Sequence, residues 1–95
     1  MTEMQKLNKM LAKADIPFEV YPYTMCDRSY FQLCYPNKQH CIVDAVSTEF
    51  TYGGREGLIE VMWEGHWEND DVRGHLTANE AFQLFDEAYS GVYNG

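Results

Sequence analysis

An amphipathic segment near the C-terminus most constrains the fold, because it predicts a helix that cannot be stable alone. Thr77 and Glu80 have the spacing of a capping box, in which each side chain accepts a backbone N–H of the first helical turn. Gly91 is the residue type that most often ends a helix. Between these signals, six apolar residues share one face: Ala78, Ala81, Phe82, Phe85, Ala88 and Tyr89. A helix with one apolar face must bury it, so the fold needs a second layer.

Short apolar segments in the middle of the chain supply that layer, because they have the composition of β-strands. They are rich in aromatic and β-branched residues and cover 18–23, 29–35, 40–52 and 58–63. Pro22 confines the first segment to a sheet edge, since proline has no backbone N–H to donate. Gly53 and Gly54 accept positive φ angles and predict a tight hairpin turn. Residues 64–76 are polar and acidic, and they predict a surface loop.

An N-terminal helix over residues 3–14 completes the predicted architecture. Its apolar stripe is Met4, Leu7, Leu11 and Ala14, and its basic face is Lys6, Lys9 and Lys13. Pro17 ends this helix, because the residue before a proline is pushed out of the α region. We therefore predict one α+β domain over residues 1–95, with an antiparallel sheet of three or four strands covered by an N-terminal and a C-terminal helix. We expect Asn94 and Gly95 to fray.

The charge of the chain is distributed unevenly. Residues 1–43 hold five basic residues and four acids, a net charge of +1, whereas residues 44–95 hold eleven acids and two arginines, a net charge of −9. An acidic half of this size repels phosphate backbones and speeds encounters with basic surfaces. We therefore expect no direct binding of nucleic acid, and a protein partner with a basic surface.

Targeting and redox features favour a cytoplasmic protein. The N-terminus carries an acid and an amphipathic segment instead of the apolar core of a signal peptide. No apolar run approaches the roughly 20 residues that a membrane-spanning helix needs. The cysteines are odd in number, which favours free thiols in a reducing compartment: Cys26, Cys34 and Cys41. We expect no binding to membranes.

Residues 60–71 are a candidate binding surface because they combine two tryptophans with five carboxylates and no basic residue. Trp63 continues the apolar face of the preceding strand and is either a core residue or part of the surface. Trp67 lies beyond the strand, as either a lid over the core or an exposed anchor for a partner. The acids form either a solvated face or a patch that mimics nucleic acid. The candidate partner-binding residues are Trp63, Glu64, Trp67, Glu68, Asp70 and Asp71.

Catalytic and metal sites have weaker support in the chain. The histidines are scattered, at His40, His66 and His75. They and the cysteines lack the paired spacing of a zinc-binding motif, and residues 52–57 lack the lysine of a phosphate-binding loop. The sequence therefore predicts no cofactor and no catalytic residue. A zinc- or thiol-dependent protein that uses Cys34, Cys41 and one histidine, or a homodimer paired through a sheet face or edge, stays open as an alternative.

Five blocks of the chain carry a resemblance to a known group. They are Ile-Pro-Phe at 16–18, Tyr-Pro-Asn at 35–37, Cys-Ile-Val-Asp-Ala at 41–45, Tyr-Gly-Gly-Arg-Glu-Gly-Leu-Ile-Glu-Val-Met at 52–62 and Gly-His-Leu-Thr-Ala-Asn-Glu-Ala-Phe at 74–82. Together they resemble an uncharacterised group of small proteins encoded in phages and prophages of gut Firmicutes. Trp63 departs from that group, where a small residue is expected after the fourth block.

The resemblance implies an accessory protein carried by a phage and acting in the bacterial cytoplasm. Small acidic phage proteins often inhibit host enzymes, including bacterial defence nucleases. By analogy, the resemblance implies a non-enzymatic inhibitor comparable to anti-CRISPR proteins. The expected partner is a host protein with a basic or nucleic-acid-binding surface.

Overall fold

Within residues 1–91, five antiparallel strands form one sheet, and two helices pack on one of its faces. The computed structural model describes residues 1–91. In chain order the elements are α1 (Glu3–Lys13), β1 (Glu19–Met25), β2 (Arg28–Tyr35), β3 (Val43–Val46), β4 (Ile59–Trp63), β5 (Val72–Leu76) and α2 (Ala78–Ser90). The fold is α+β as predicted, with five strands in place of three or four. Asn94 and Gly95, for which we predicted fraying, lie outside the described residues.

The strands keep their chain order across the sheet, and each pairs antiparallel with the next. β1 is an edge strand, as the position of Pro22 predicted. Side chains directed at the helices sit opposite one another on neighbouring strands, as Val43 does with Trp63 and Ala45 with Val61. We call the other side of the sheet, which neither α1 nor α2 covers, the open face.

An apolar core lies between the helices and the sheet. It is formed by Met4, Leu7, Leu11, Ile16, Leu33, Val43, Ala45, Ile59, Val61, Trp63, Ala78, Ala81, Phe85 and Ala88. Phe85 is its largest fully buried side chain. Ala14, which the helical stripe predicted to be buried, is exposed because α1 ends one residue before it.

Both helices begin at capping boxes. The box formed by Thr77 and Glu80 confirms the prediction, and α1 begins at a second one formed by Thr2 and Gln5. Gly91 ends α2 with a left-handed φ of 75°. At 11 and 13 residues, neither helix of the described part of the chain is long and apolar enough to cross a membrane.

The prediction of a surface loop over residues 64–76 is wrong for its last part, which forms β5. β5 pairs with β4 through an irregular register, with a shift between Ile59 and Val61. His75 has a φ of 57°, which interrupts the extended backbone near the end of the strand. With Arg73, Gly74 and His75 between its two apolar residues, this segment lacks the composition that identified the other strands.

The prediction of a strand over residues 40–52 is wrong outside β3. The connection from β3 to β4 is a folded turn that contains a short 3-10 helix at Gly54–Glu56. Within it, the backbone N–H of Thr48 donates to the Thr51 hydroxyl at 3.0 Å, which bends the chain away from the sheet. Gly53 adopts a positive φ of 88°, as predicted, but the turn is longer than a tight hairpin.

Candidate protein-binding surface

The acidic loop, which we define as residues 64–71, connects β4 to β5 and carries most of the predicted binding residues. Its ends are joined by hydrogen bonds. The Trp63 N–H donates to the Asp71 carbonyl at 2.8 Å, and the Gly65 N–H donates to the Asp71 carboxylate at 2.9 Å. Gly65 has a φ of 75°, a conformation that carries no steric penalty for glycine. The loop is therefore a closed, hydrogen-bonded turn.

Aromatic side chains hold the acidic loop against the core. The His66 ring stacks on Trp63 with centroids 3.6 Å apart, and Trp67 meets Trp63 edge-on at 6.4 Å. The Arg73 guanidinium lies 4.4 Å from the centroid of the Trp67 ring, within the range of a cation–π contact. Trp63 is only 8% exposed and belongs to the core, while Trp67 is half-buried against it. Of the roles left open for Trp67, this packing is that of a lid.

The carboxylates of the acidic loop are exposed, namely Glu64, Glu68, Asp70 and Asp71. Asp70 forms an ion pair with Arg73 and accepts the Val72 N–H at 3.3 Å. Glu64 and Glu68 form no ion pair with any residue among 1–91. Trp63 offers little surface to a partner, so the accessible members of the predicted site are these four acids and part of Trp67.

The open face of the sheet continues from the start of the acidic loop. A row of directly opposed residues crosses it: Cys34, Asp44, Met62 and Val72. The Gln32 side-chain amide donates to the Asp44 carboxylate. The Lys38 ammonium donates to the Gln32 side-chain carbonyl at 2.8 Å and lies 4.5 Å from the centroid of the Tyr21 ring. Gln32 therefore bridges the ammonium of Lys38 and the carboxylate of Asp44.

Asp44 is a half-buried carboxylate that has no ion-pair partner in the described part of the chain. Burial raises the pKa of its carboxyl group, and the hydrogen bond from Gln32 and the charge of Lys38 oppose that shift. A carboxylate with a perturbed pKa beside a cavity is a candidate functional residue. Sequence reasoning missed Asp44, although a single acid within the apolar run 41–46 was a usable signal.

A cavity of about 160 Å³ lies between the open face and the acidic loop. It is lined by Gln32, Cys41, Ile42, Asp44, Met62 and Glu64. Ile42 and Met62 are 51% and 47% exposed, so the apolar part of the lining faces solvent. Pockets for small molecules measure roughly 300–1,000 Å³, so this one suits a side chain of a macromolecule better than a metabolite. Glu64 belongs to both the acidic loop and the cavity.

The thiols of Cys34 and Cys41 interact with each other, and the pKa of each is raised. The pKa of Cys41 is raised to about 12, first by burial and then by the Cys34 thiol. Burial also raises the pKa of Cys34. A nucleophilic cysteine needs the opposite shift of its pKa. Within residues 1–91, no group of three or more His, Cys, Asp or Glu side chains is arranged to hold a metal ion.

The turn between β3 and β4 carries two exposed aromatic residues that lie outside the predicted site. Phe50 and Tyr52, in the turn between β3 and β4, are 64% and 65% exposed and line an open groove of about 430 Å³. The turn is packed closely on β5, where the His75 N–H donates to the Tyr52 carbonyl at 3.0 Å. Sequence reasoning missed this surface because it assigned both aromatics to a strand.

Comparison of the chain with models of protein families, with curated proteins and with solved structures found no match. The kinship with phage-encoded proteins and the role that it implies are therefore proposals. What the surface can do has to be inferred from its own geometry and charge.

Proposed function

We propose that this protein is a non-enzymatic binding protein that docks on a basic surface of a partner protein through its acidic loop. The observation that carries the proposal is the exposure of four carboxylates on a loop held by aromatic stacking against the core. A loop that is already ordered loses little conformational entropy on binding, so more of its interaction energy appears as affinity. Its charge also raises the rate of encounter with a basic partner.

The partner class that we propose is a nucleic-acid-binding protein of a bacterial host. Such a protein carries basic side chains spaced to neutralise phosphates, and carboxylates on a rigid turn can occupy the same positions. The net charge of −9 in residues 44–95 adds long-range attraction to that surface. An inhibitor of a host defence nuclease, which the resemblance to phage proteins implies, belongs to this class.

Two variants with the same net charge test the role of the acidic loop. The loop variant replaces its four exposed acids by Glu64→Gln, Glu68→Gln, Asp70→Asn and Asp71→Asn. The control variant removes four charges elsewhere by Asp15→Asn, Asp27→Asn, Asp86→Asn and Glu87→Gln. The amides in the loop keep an acceptor oxygen for the hydrogen bonds that close it. Circular dichroism and thermal unfolding establish that both variants are folded.

Each tagged protein is incubated with lysate of the bacterial host at about 0.15 M salt, where the Debye length is roughly 8 Å. We expect the wild type and the control variant to retain the same basic protein and the loop variant to lose it. Washing at about 1 M salt, where the Debye length is roughly 3 Å, should release the partner. Equal retention by the loop variant and the control variant would show that the acidic loop is not the binding surface.

A further inference from the structure

The cavity on the open face combines acidic and apolar walls. The acidic residues Asp44 and Glu64 belong to its lining, and so do Ile42 and Met62, which are 51% and 47% exposed. No basic residue among residues 1–91 lines it. The Lys38 ammonium on the same face donates to the Gln32 side-chain carbonyl at 2.8 Å, and its single positive charge is outweighed by the two carboxylates of Asp44 and Glu64. The cavity is therefore complementary in charge to a cation and in polarity to an aliphatic chain.

We propose that this cavity binds one arginine side chain of the partner protein. The aliphatic part of the arginine lies between Ile42 and Met62, and the guanidinium meets the carboxylates of Asp44 and Glu64. The inference rests on the proposed function, because it names the chemistry by which a basic partner is recognised. Since Glu64 also belongs to the acidic loop, the cavity and the loop form one continuous surface.

Arginine fits these walls better than lysine does. Its guanidinium is planar, is weakly hydrated and can donate to a carboxylate through two parallel hydrogen bonds. A lysine ammonium is strongly hydrated and loses more on entering a half-buried site. The thioether of Met62 is flexible and polarisable, which lets it adapt to the arginine side chain.

Other occupants fit the cavity less well. Its volume of about 160 Å³ is below the roughly 300 Å³ at which pockets for small molecules begin. A metal ion is disfavoured because the described residues contain no group of three ligating side chains in a suitable arrangement. An anionic group would be repelled by both carboxylates.

Titration with short peptides tests the assignment directly. The probes are three acetylated and amidated pentapeptides, Gly-Ala-X-Ala-Gly, in which X is arginine, lysine or citrulline. Citrulline has nearly the shape of arginine but carries no charge. Binding is followed through the backbone amide signals of Ile42, Asp44 and Met62 in the ¹⁵N-labelled protein. We expect saturable shifts of these signals with the arginine peptide. The affinities of the other two peptides should be about tenfold weaker, which corresponds to about 1.4 kcal/mol of binding free energy.

Three variants separate the cavity from general attraction by acidic groups. Asp44→Asn removes the charge but keeps an acceptor for the Gln32 amide, and Met62→Ser removes one apolar wall at an exposed position. We expect each to weaken binding of the arginine peptide by about five- to tenfold. The combined variant Asp15→Asn, Asp27→Asn, Asp86→Asn and Glu87→Gln removes four charges outside the cavity and the acidic loop and should bind the peptide as the wild type does.

The outcomes are distinct from those of the lysate experiment. Equal binding of the arginine and lysine peptides would overturn the arginine assignment, as would shifts confined to residues 68–71 or no shifts at all. Any of these results leaves the proposed function standing if the loop variant still loses its partner. Conversely, a loop variant that keeps its partner would refute the proposed function even if the arginine peptide bound to the cavity.

Discussion

The carboxylate of Asp44 lies on the open face, where burial raises its pKa. In the unfolded chain the same group is hydrated and has its ordinary pKa. The folded protein therefore holds this proton more tightly than the unfolded chain does. It follows that the contribution of Asp44 to stability is greatest below its ordinary pKa and is lost as the pH rises through the raised value.

Asp44→Asn should therefore stabilise the protein at neutral pH. The amide keeps the size of the side chain and an acceptor for Gln32, but it has no charge to bury. We expect the gain in the free energy of unfolding to be larger at pH 7 than at pH 4, because the wild-type carboxyl becomes protonated as the pH falls. Urea denaturation at both pH values measures this difference. A variant that is less stable than the wild type at pH 7 would show that the charge of Asp44 stabilises the fold.

Trp67 is half-buried, and a substitution measures how much its packing contributes to stability. The ring contacts Trp63, His66 and Arg73. We expect Trp67→Ala to lower the free energy of unfolding by about 1–3 kcal/mol, less than the roughly 3–5 kcal/mol of a fully buried tryptophan. Phe50→Ala, at a position 64% exposed, serves as a control and should cost less than about 0.5 kcal/mol. A Trp67→Ala variant as stable as this control would mean that Trp67 is not a lid.

At the level of elements, the sequence predicted the helices and strands whose identifying residues all lie within one short segment. α2 has its capping box, its apolar face and its terminal glycine within one segment, so its bounds follow from the residues alone. β5 has no such signal, because its place at the sheet edge depends on pairing with β4 and on its packing with the turn that carries Tyr52. The strand predicted over residues 40–52 failed because hydrogen bonds between Thr48 and Thr51 turn the chain out of the sheet.

The packing of that turn on β5 depends on Gly74. A Cβ atom at this position would lie 2.2 Å from the Tyr52 Cβ and 2.9 Å from the Tyr52 carbonyl oxygen. We expect Gly74→Ala to lower the free energy of unfolding by about 1–3 kcal/mol through overpacking. Gly57→Asn is a suitable control, because nothing lies within 4 Å of a Cβ there and asparagine tolerates the φ of 77°. Equal stability of the two variants in urea denaturation would contradict this close approach.

At the level of the whole molecule, the composition of the chain predicted the acidic loop but not the cavity beside it. The acids of the loop are neighbours in sequence, so their exposure follows from their local polarity. The cavity brings together Gln32 of β2, Asp44 of β3 and Met62 of β4, and strand register alone makes them neighbours. The position of Trp63 was open as well, since its burial depends on the elements that pack on the same side of the sheet.

The charge of the molecule differs between the helix layer and the side that carries the acidic loop. The helix layer carries both signs of charge, with the lysines of α1 beside the acids of α2. Arg73, which contacts the acidic loop, is already paired with Asp70. A basic partner is therefore attracted most strongly to the side that carries the acidic loop and the open face. This is the side that we propose to mimic nucleic acid.

Competition with DNA tests this claim most directly. The partner recovered from lysate is purified, bound to the labelled wild-type protein, and titrated with double-stranded DNA at about 0.15 M salt. We expect DNA to displace the protein and the protein to displace DNA, because both occupy the same basic surface. A stable ternary complex, in which DNA and this protein are bound to the partner together, would contradict the proposal that the acidic loop takes the place of a phosphate backbone.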